Sequence, residues 1–590
     1  MNRSRGTWWR VLAVLAALGL LAAACGDDDD GDGEGSATTL LDSGGEEDEG
    51  EGEGDETDEL EPVMGGSIVV GLEAESNTWT PGPAQLANSG TTIALTIYDP
   101  FVALNGEGDF EAFLAEDIQP NEDLTEWTMT LREGVQFHDG TPLDAETVVW
   151  NFETLHFVEG SQSYGPLQQA GVTGIEMVDD MTVKYVLSAP NAAFPDQLRL
   201  EPGWPISRQA YEADPEGFGE KPVGTGPFMM ESWTRDDQAV VVRNDNYWRT
   251  DDAGNQLPYL DEIVFRPIPE EDARVQSLAA GSVDMMQTLR GANVKQVLQL
   301  IEEGGFEGNT HVGNNSGSAI LNVLEPPLDD VRIRRALAFA SDSEQVQIVL
   351  GDDGLTEPST GFFSEDSPWY SQVAAEAYPG FGGRDVEAAS ALVEEYVNDP
   401  DRSDGKAVGE PPEVQYNCPP DPSLIQVSQL QQSLWSEVGF TVGLEQVEQS
   451  AHITNAVGSA DTDPPFRGDY IINCWRAGGG EGDPLTALSN FFGPVASTPG
   501  NFTNYTNPDI DEQLALLRTS PDFADRYAAV EQISIISAEE VPILWSSPTP
   551  TIVGWREGIH GVVDWQMPDG NPGSGTPGAT PRFYEVFLSE

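Results

Sequence analysis

Residues 413–447 read EVQYNCPPDPSLIQVSQLQQSLWSEVGFTVGLEQV, and their pattern indicates the fold class. The stretch opens with a strand-like run, Glu413 to Asn417, and closes with another, Thr441 to Val447. The residues from about Ser423 to Val438 predict a helix between them. A third strand is predicted at Tyr470 to Cys474. Strands that alternate with helices in this way indicate a parallel, doubly wound sheet, and therefore an α/β protein.

Further strands and helices are predicted upstream of this stretch. Gly66 to Leu72 predicts a buried opening strand, and Glu126 to Leu131 alternates apolar and polar residues as a half-buried strand does. Asp144 predicts the N-cap of one helix. The pair Asp329–Asp330 predicts the cap of another helix at Val331 to Phe339. Both kinds of element are thus distributed along the chain.

The first 25 residues resemble an export signal. Three arginines precede an apolar run, Val11 to Ala24, which is too short to span a bilayer. The small residues before Cys25 resemble a bacterial lipobox, in which the cysteine receives a lipid and the peptide is cut in front of it. We therefore predict a signal peptide at residues 1–24 and stable lipid anchoring at Cys25. The alternative is an ordinary cleaved signal with a chance cysteine.

An acidic segment follows the cysteine. Residues 26–62 contain 18 Asp or Glu, no Lys or Arg, and many Gly. Such a composition cannot bury enough apolar surface to offset the entropy of ordering, and its like charges keep the chain extended. We expect residues 25–62 to form a lipidated, disordered tether that holds a folded body away from the membrane. An acidic tail that binds a metal or a partner is the alternative.

The remaining residues, 63–590, are also strongly acidic. They hold 83 of the 101 acidic residues and 24 of the 27 basic ones, a net charge of −59. This charge excludes nucleic acid and anionic membrane surfaces as favourable partners. The simplest interpretation is a solvated acidic surface.

A series of ordered motifs resembles one family. The first, LREGVQFHDGTPLDAETVVW, occupies residues 131–150. The later ones are PVGTGPF (222–228), RNDNYW (243–248), LPYLDEIVF (257–265), DDVRIRRALAFASD (329–342), GFTVGLEQV (439–447), GDYIINCW (468–475), NYTNPDIDEQL (504–514) and VPILW (541–545). In this order they resemble the family 5 extracellular solute-binding proteins, the peptide- and nickel-type receptors of ABC importers. The resemblance covers almost everything from Gly65 to Glu590.

This resemblance implies an α/β fold like that of the type II periplasmic binding proteins, with two lobes, an extra subdomain, a hinge and a ligand cleft between the lobes. The expected organisation is lobe I at 63–305 with a subdomain inserted at about 105–190, lobe II at 306–540, and a return to lobe I at 541–590. Loops at the carboxyl ends of parallel strands point into such clefts. Closure of the hinge around the ligand gives a distinct form that a transporter recognises.

The segment after the third predicted strand is the first candidate for ligand binding. Trp475 is expected to form a wall of the cleft, and Arg476 to meet a ligand carboxylate in bidentate fashion. In peptide-binding relatives an aspartate three positions after this tryptophan pairs with the α-ammonium of the peptide, but Gly478 stands there. Glu481 or Asp483 is expected to supply an anion from a new position. The alternatives are that Asp483 caps the next helix and that Glu481 faces solvent.

Two further groups of residues are candidates for specific roles. Glu75, Asn77 and Trp79 follow the carboxyl end of the opening strand and are expected to line the cleft, with a core position as the alternative for Trp79. Cys418 and Cys474 lie at the ends of two strands that would be neighbours. In an exported, oxidising setting a disulfide between them is expected, and two buried thiols are the alternative.

The histidines give little support to a metal site. The five of them show no HxxxH or similar ligand spacing, and no metal or cofactor is expected. We interpret His138, in the FHDG turn, as structural. Hydrolase motifs such as GxSxG and HExxH are absent from the sequence, so the chain is not predicted to be an enzyme.

The sequence therefore predicts an extracellular substrate-binding lipoprotein that captures an oligopeptide, or a related polar solute, by hinge closure. It would deliver this ligand to an ABC permease with its ATPase. We expect a monomer on the outer face of the cytoplasmic membrane, held there through the lipid anchor only. A binding-only sensor of the same fold, and a receptor for oligosaccharides or other non-peptide solutes, are the alternatives.

Overall fold

The computed structural model describes residues 61–456, 468–479, 482–493 and 501–589. The predicted signal peptide, the predicted lipid site at Cys25, almost all of the predicted tether and Glu481 lie outside these residues.

Within the described ranges the chain forms eighteen strands and fifteen α-helices. The strands are β1 (Ser67–Leu72), β2 (Val102–Leu104), β3 (Phe110–Ala112), β4 (Ala115–Pro120), β5 (Glu126–Leu131), β6 (Val172–Asp179), β7 (Thr182–Leu187), β8 (Phe228–Thr234), β9 (Gln238–Arg243), β10 (Glu262–Pro267), β11 (Met285–Thr288), β12 (Phe306–Leu321), β13 (Glu413–Cys418), β14 (Thr441–Gln446), β15 (Ile472–Gly478), β16 (Ile543–Arg556), β17 (Ile559–His560) and β18 (Phe587–Leu588). The helices are α1 (Asn88–Ile97), α2 (Ala145–Asn151), α3 (Tyr164–Gln169), α4 (Arg208–Ala213), α5 (Glu271–Ala279), α6 (Gly291–Glu303), α7 (Val331–Ala340), α8 (Ser343–Leu350), α9 (Gln372–Ala377), α10 (Val386–Val397), α11 (Pro422–Glu437), α12 (Gln449–Ala456), α13 (Pro484–Phe492), α14 (Pro508–Thr519) and α15 (Phe523–Glu540). Among these helices, none is both long and apolar enough to cross a bilayer.

The strand–helix–strand unit predicted at residues 413–447 is present. β13 and β14 pair in parallel along their whole lengths, and α11 connects them. α11 begins after Asp421, whose carboxylate accepts hydrogen bonds from the backbone N–H groups of Ser423 and Leu424. β15 pairs in parallel with the other edge of β13. The parallel arrangement predicted from this stretch is therefore confirmed.

These strands belong to a ten-stranded sheet with the order β14-β13-β15-β12-β16-β11-β1-β10-β9-β8. β11, β1 and β10 run parallel to one another, as do β15, β13 and β14. Between these groups lies the long antiparallel pair β12 and β16. We call β8 to β11 with β1 the β1 half-sheet, and β13 to β15 the β13 half-sheet. The complete sheet is mixed, because an antiparallel pair joins two parallel groups.

Two large hydrophobic cores lie along this sheet. The core of the β13 half-sheet includes Tyr416 and Trp545, whereas that of the β1 half-sheet includes Ile68 and Val553. Trp545 and Val553 both belong to β16, so one strand contributes to both cores. β16, which pairs with β12, therefore links the two cores. The chain from residue 60 onward forms one compact unit, and the predicted lobe boundaries stay a prediction.

A smaller antiparallel sheet, with the order β4-β5-β7-β6, has its own core. It falls within the stretch predicted as an inserted subdomain. Val148 of α2 packs in this core, and Asp144 caps the helix by accepting a hydrogen bond from the backbone N–H of Thr147 at 2.8 Å. The N-cap predicted at Asp144 is thus confirmed.

Candidate ligand-binding site

A cleft of about 560 Å³ lies where the β13 half-sheet faces the start of α6. Its walls come from β12, β13, β15 and β16, from α8, α11 and α12, and from the turn before α6. This volume is in the range of small-molecule sites, and the carboxyl ends of parallel strands are a usual place for them. The charged side chains in its lining are Arg290, Asp352, Asp421 and Arg476.

Trp475 forms an aromatic part of this wall. Its position on β15 is opposite Ser318 of β12. Its indole stacks on the His452 ring, with 6.0 Å between centroids and 29° between planes, and contacts the Phe502 ring at 5.3 Å. The side chain is partly exposed and lines the cleft, where sequence reasoning expected it. Its contact with a ligand stays a prediction.

Arg476 presents an unpaired guanidinium to the cleft. Its side chain is exposed, yet it makes no hydrogen bond or ion pair with any described residue. Desolvation in the cleft lowers the pKa of Arg476, with help from the positive charge of Arg290, while Glu73, Asp352 and Asp421 act in the opposite direction. Because the ordinary pKa of an arginine side chain is far above neutrality, the group stays charged at pH 7. An unpaired guanidinium of this kind is ready to bind a carboxylate.

Arg290 reaches the cleft from the β1 half-sheet side, at the start of α6. Its Nε donates a hydrogen bond to Glu271 Oε1 at 3.1 Å. Its terminal nitrogen lies 4.0 Å from Asp421 Oδ2, which is at the start of α11 beside the β13 half-sheet. This ion pair spans the cleft, so it connects the two sides electrostatically without a direct hydrogen bond. The sequence offered no motif that singles out Arg290.

Glu73 and Asp352 add negative charge near Arg476. Glu73 comes directly after β1, and its charge opposes the burial that lowers the pKa values of Arg274 and Arg476. It makes no hydrogen bond with any of the residues that the structure describes. Asp352 is buried, which raises its pKa even though it accepts a hydrogen bond from Ser547 Oγ at 3.0 Å. The cleft therefore presents fixed charges of both signs.

The residues predicted after β1 serve the local structure. The Glu75 carboxylate accepts hydrogen bonds from Trp233 Nε1 at 2.9 Å and from the backbone N–H of Asp236 at 3.0 Å. Asn77 Oδ1 accepts one from the backbone N–H of Gln85 at 2.7 Å. Trp79 is 1% exposed and packs edge-to-face on Trp233, so its core alternative is correct.

The prediction that Glu75, Asn77 and Trp79 line the cleft is therefore wrong, because none of them belongs to its lining. The loop after β1 turns back onto the hairpin of β8 and β9, whereas Glu73, directly after the strand, acts electrostatically on Arg476. The carboxyl end of β1 was predicted correctly from the sequence. Glu73 directly follows that end, and this position is the feature that could have identified it.

Asp483 caps α13 and does not line the cleft. Its Oδ1 accepts a hydrogen bond from the backbone N–H of Leu485 at 2.9 Å, and its Oδ2 pairs with Arg526. Burial raises the pKa of Asp483 to about 6, against the opposing effect of Arg526. The predicted ligand role is therefore not supported, because both oxygens already have partners within the protein. Glu481 lies outside the described residues.

Gly478 leaves no room for the aspartate expected in peptide-binding relatives. A Cβ atom added there would lie 1.7 Å from the carbonyl oxygen of Asn314, which lies in the paired strand β12. At the next position, Gly479, it would lie 1.8 Å from a ring carbon of Phe363. Any ammonium-binding carboxylate must come from elsewhere in this cleft.

The structure contains a disulfide between Cys418 and Cys474, whose Cα atoms are 5.2 Å apart. It joins β13 to β15, and Cys474 lines the cleft. The bond thus ties together the two strands that carry Tyr416 and Trp475.

His138 is structural, as interpreted from its motif. Its Nε2 donates a hydrogen bond to the carbonyl oxygen of Gly226 at 3.0 Å, and its Nδ1 accepts one from the backbone N–H of Gly224 at 3.3 Å. The ring thereby links the FHDG turn to the PVGTGPF motif. Burial lowers the pKa of His138 to about 4. In the described part of the chain no group of three or more His, Cys, Asp or Glu is arranged to hold a metal ion.

These features describe a mixed α/β protein with a charged cleft at the carboxyl ends of parallel strands. A family model described as bacterial extracellular solute-binding proteins, family 5 Middle, matches residues 109–499. The chain belongs to this family, which confirms the resemblance carried by its ordered motifs.

Named relatives agree with this assignment. The dipeptide-binding protein of Escherichia coli (strain K12) is 25% identical over 514 residues, which cover 81% of this chain and 89% of that one. The structure of DppA from Helicobacter pylori in complex with the peptide STSA is similar with a TM-score of 0.69 and 19% identity, over 90% of this chain and 99% of that one. AgaA of A. tumefaciens R10, in complex with agropinic acid, is similar with a TM-score of 0.69 and 23% identity, over 89% and 99%.

Proposed function

We propose that this protein is the extracellular receptor of an ABC importer and that it captures a short peptide or a related zwitterionic solute. The observation that carries the proposal is the unpaired guanidinium of Arg476 beside Trp475, in a cleft that also presents carboxylates. A zwitterion meets both of its charges in such a site. A ligand of one sign leaves part of the cleft uncompensated, which is costly in a partly desolvated place.

Each end of the ligand has a matching group. Arg476 binds the ligand carboxylate, since its five N–H donors have no partner among the described residues. Asp421 lines the cleft, and Glu73, directly after β1, acts electrostatically on Arg476, so both attract the ammonium group. Glu73 is the stronger candidate, because Asp421 already accepts two backbone hydrogen bonds as the cap of α11. Trp475 excludes water and packs on the apolar part of the ligand.

The names of two relatives support a peptide ligand, whereas a third relative binds a solute that is not a peptide. The Escherichia coli relative is named for dipeptides, and the Helicobacter pylori structure holds a peptide. AgaA holds agropinic acid, so the same fold also serves other solutes. Fold alone does not choose between ligands, and the charges of the cleft are what favour a zwitterion here.

We propose that the ligand is delivered to the permease by closure of the cleft. The two large cores are linked through β12 and β16, so bending there would close the cleft around a ligand and give the permease a distinct form to recognise. We place the protein on the outer face of the cytoplasmic membrane, anchored by lipid on Cys25 through the acidic tether, as a monomer without catalytic activity. A sensor that only reports ligand is the alternative, and loss of peptide uptake on gene deletion separates import from sensing.

Thermal unfolding of residues 63–590 with pooled di- to hexapeptides tests ligand binding. A ligand at about 100 times its Kd adds about 2.7 kcal/mol to the free energy of unfolding, which gives a visible rise in Tm. A rise identifies peptides, and calorimetric titration then ranks single sequences. No rise with any pool contradicts the peptide proposal and directs the search to oligosaccharides, for which Trp475 provides a stacking surface.

Substitution of Arg476 tests the site itself. Arg476→Gln removes the charged, bidentate donor, and we expect the Kd for peptide to rise by roughly tenfold to a hundredfold. Arg335→Gln is the matched control, because Arg335 is exposed on α7 and lies outside the cleft. Equal affinity for the two variants would place the carboxylate elsewhere.

The lipid anchor is tested separately in cells. Metabolic labelling with an alkyne fatty acid should label the full-length protein and not the Cys25→Ser variant. Equal labelling of both, or release of the wild-type protein into the medium, would contradict lipid attachment at Cys25.

A further inference from the structure

Two polar side chains in the cleft wall have buried atoms without a hydrogen-bond partner among the described residues. They are Nδ1 of His452 and Oε1 of Gln431. His452 is 3% exposed and Gln431 is 7% exposed. A buried polar atom without a partner is costly, and such atoms in a cleft wall point to a ligand that supplies the missing partner.

The hydrogen bond of Nε2 shows which kind of partner Nδ1 of His452 can take. Nε2 of the same ring lies 2.8 Å from the carbonyl oxygen of Cys474, which can only accept, so Nε2 carries the proton. Burial lowers the pKa of His452, which favours the neutral ring. Nδ1 is therefore a lone-pair acceptor. The ring is held in place by its stack on Trp475, so this acceptor has a defined position beside the aromatic wall.

Gln431 follows two apolar residues on the face of α11 that lines the cleft. Leu424, Val427 and Gln431 follow at helical spacing and all three line the cleft. Its amide makes no hydrogen bond with the described part of the chain, whereas the neighbouring Gln432 donates to the carbonyl oxygen of Val442 at 2.8 Å. Gln431 thus places a polar group beside Val427 and Leu424 in the cleft wall.

We propose that Gln431 and His452 form a subsite that selects a ligand side chain carrying a hydrogen-bond donor. The ligand group would stack on or beside Trp475, donate an N–H or O–H to Nδ1 of His452, and pair with the amide of Gln431. Hydroxyl and carboxamide side chains suit the subsite, whereas purely aliphatic ones leave both protein groups unpaired. This inference rests on the proposed function, because it assigns the side-chain preference of the same cleft.

The expected selectivity arises because polar and apolar sites differ in how strongly they reject the wrong ligand. A site with unpaired polar groups discriminates strongly against an analogue that lacks the matching hydrogen bond. A purely apolar pocket rejects an added hydroxyl much less effectively. The preference should therefore be visible between nearly isosteric side chains such as Thr and Val.

A set of Ala-based tripeptides with Thr or Val at each position in turn measures this preference by calorimetric titration. At the position that enters the subsite we expect the Thr peptide to bind roughly tenfold to a hundredfold more tightly than the Val peptide. Gln431→Met keeps the length of the side chain and should reduce this ratio severalfold. His452→Phe keeps the stack on Trp475 and should reduce it as well.

Gln429→Met is the matched control, since Gln429 lies on the exposed face of the same helix and outside the cleft. Its Thr-to-Val ratio should equal that of the wild type. Peptide binding without a Thr preference at any position, or a preference that survives Gln431→Met and His452→Phe in folded variants, would overturn the subsite while leaving the proposed function intact. Absence of any peptide binding would overturn both.

Discussion

Reduction of the Cys418–Cys474 disulfide is expected to lower the free energy of unfolding by about 4 kcal/mol. The two cysteines are 56 positions apart in the chain, and they join β13 to β15. In the chain-entropy description a closed loop of this length restricts the unfolded chain by about 4 kcal/mol. Both residues are buried, at 2% and 7% exposed, so the bond should need partial unfolding or a small reductant to break.

The corresponding change in Tm depends on how much of the chain unfolds together. The entropy of unfolding is about 2.1 cal/mol/K per residue near 60 °C, so joint unfolding of residues 63–590 predicts a fall of about 4 °C. If residues 306–540 unfold by themselves, the same 4 kcal/mol predicts a fall of about 8 °C. The size of the shift therefore also reports whether the two cores unfold as one.

Scanning calorimetry with and without a phosphine reductant measures this shift. The double variant Cys418→Ala/Cys474→Ala is the control, because its Tm should not respond to the reductant. Alkylation followed by mass analysis establishes the bond itself: neither cysteine should be modified in the unfolded, unreduced protein, and both should be modified after reduction. Modification before reduction would refute the disulfide. An intact bond whose reduction moves the Tm by less than about 1 °C would refute the entropic reasoning.

The remaining predictions concern packing and pH. Gly478→Ala places a Cβ 1.7 Å from the carbonyl oxygen of Asn314, so we expect a loss of about 3 kcal/mol in urea unfolding. Gly165→Ala, whose Cβ would meet no atom within 4 Å, is the control, and equal losses would contradict the clash. Burial lowers the pKa of His138 to about 4, against 6.5 in the unfolded chain, so its stabilising effect is complete above pH 6.5 and is lost as the pH falls towards 4. The stability advantage of the wild type over His138→Gln should shrink by about 3 kcal/mol across this window, and a constant advantage would contradict the shift.

Local patterns predicted local structure well. The strand–helix–strand unit at 413–447, the N-cap at Asp144 and the helix after Asp330 all appear within a few residues of the predicted bounds. Each depends on interactions within a few positions along the chain, such as a carboxylate that accepts a backbone N–H of the first helical turn. Trp475 was also located correctly, because it directly follows the predicted third strand, and it lines the cleft.

Positions that depend on distant partners were predicted poorly. Glu75 bonds to Trp233, and Asp483 pairs with Arg526, and both partners are far away in sequence. The local pattern gave no sign of the partner of Glu75, and for Asp483 it offered the helix cap only as the alternative. Arg290 and Gln431 were missed for the same reason, since their place in the cleft follows from the packing of α6 and α11 against other elements.

Periodicity, capping residues and ordered motifs are properties of short stretches, so they were enough to predict the α/β class, the family and the segment that carries Trp475 and Arg476. The packed fold was needed to see which charges meet in the cleft, how β12 and β16 join two parallel groups into one mixed sheet, and why an aspartate does not fit at Gly478. These features depend on backbone segments more than a hundred residues apart that approach within a few ångströms, as Asn314 and Gly478 do. Such approaches are set by the packing of the whole sheet and leave no trace in the residues on either side of each position.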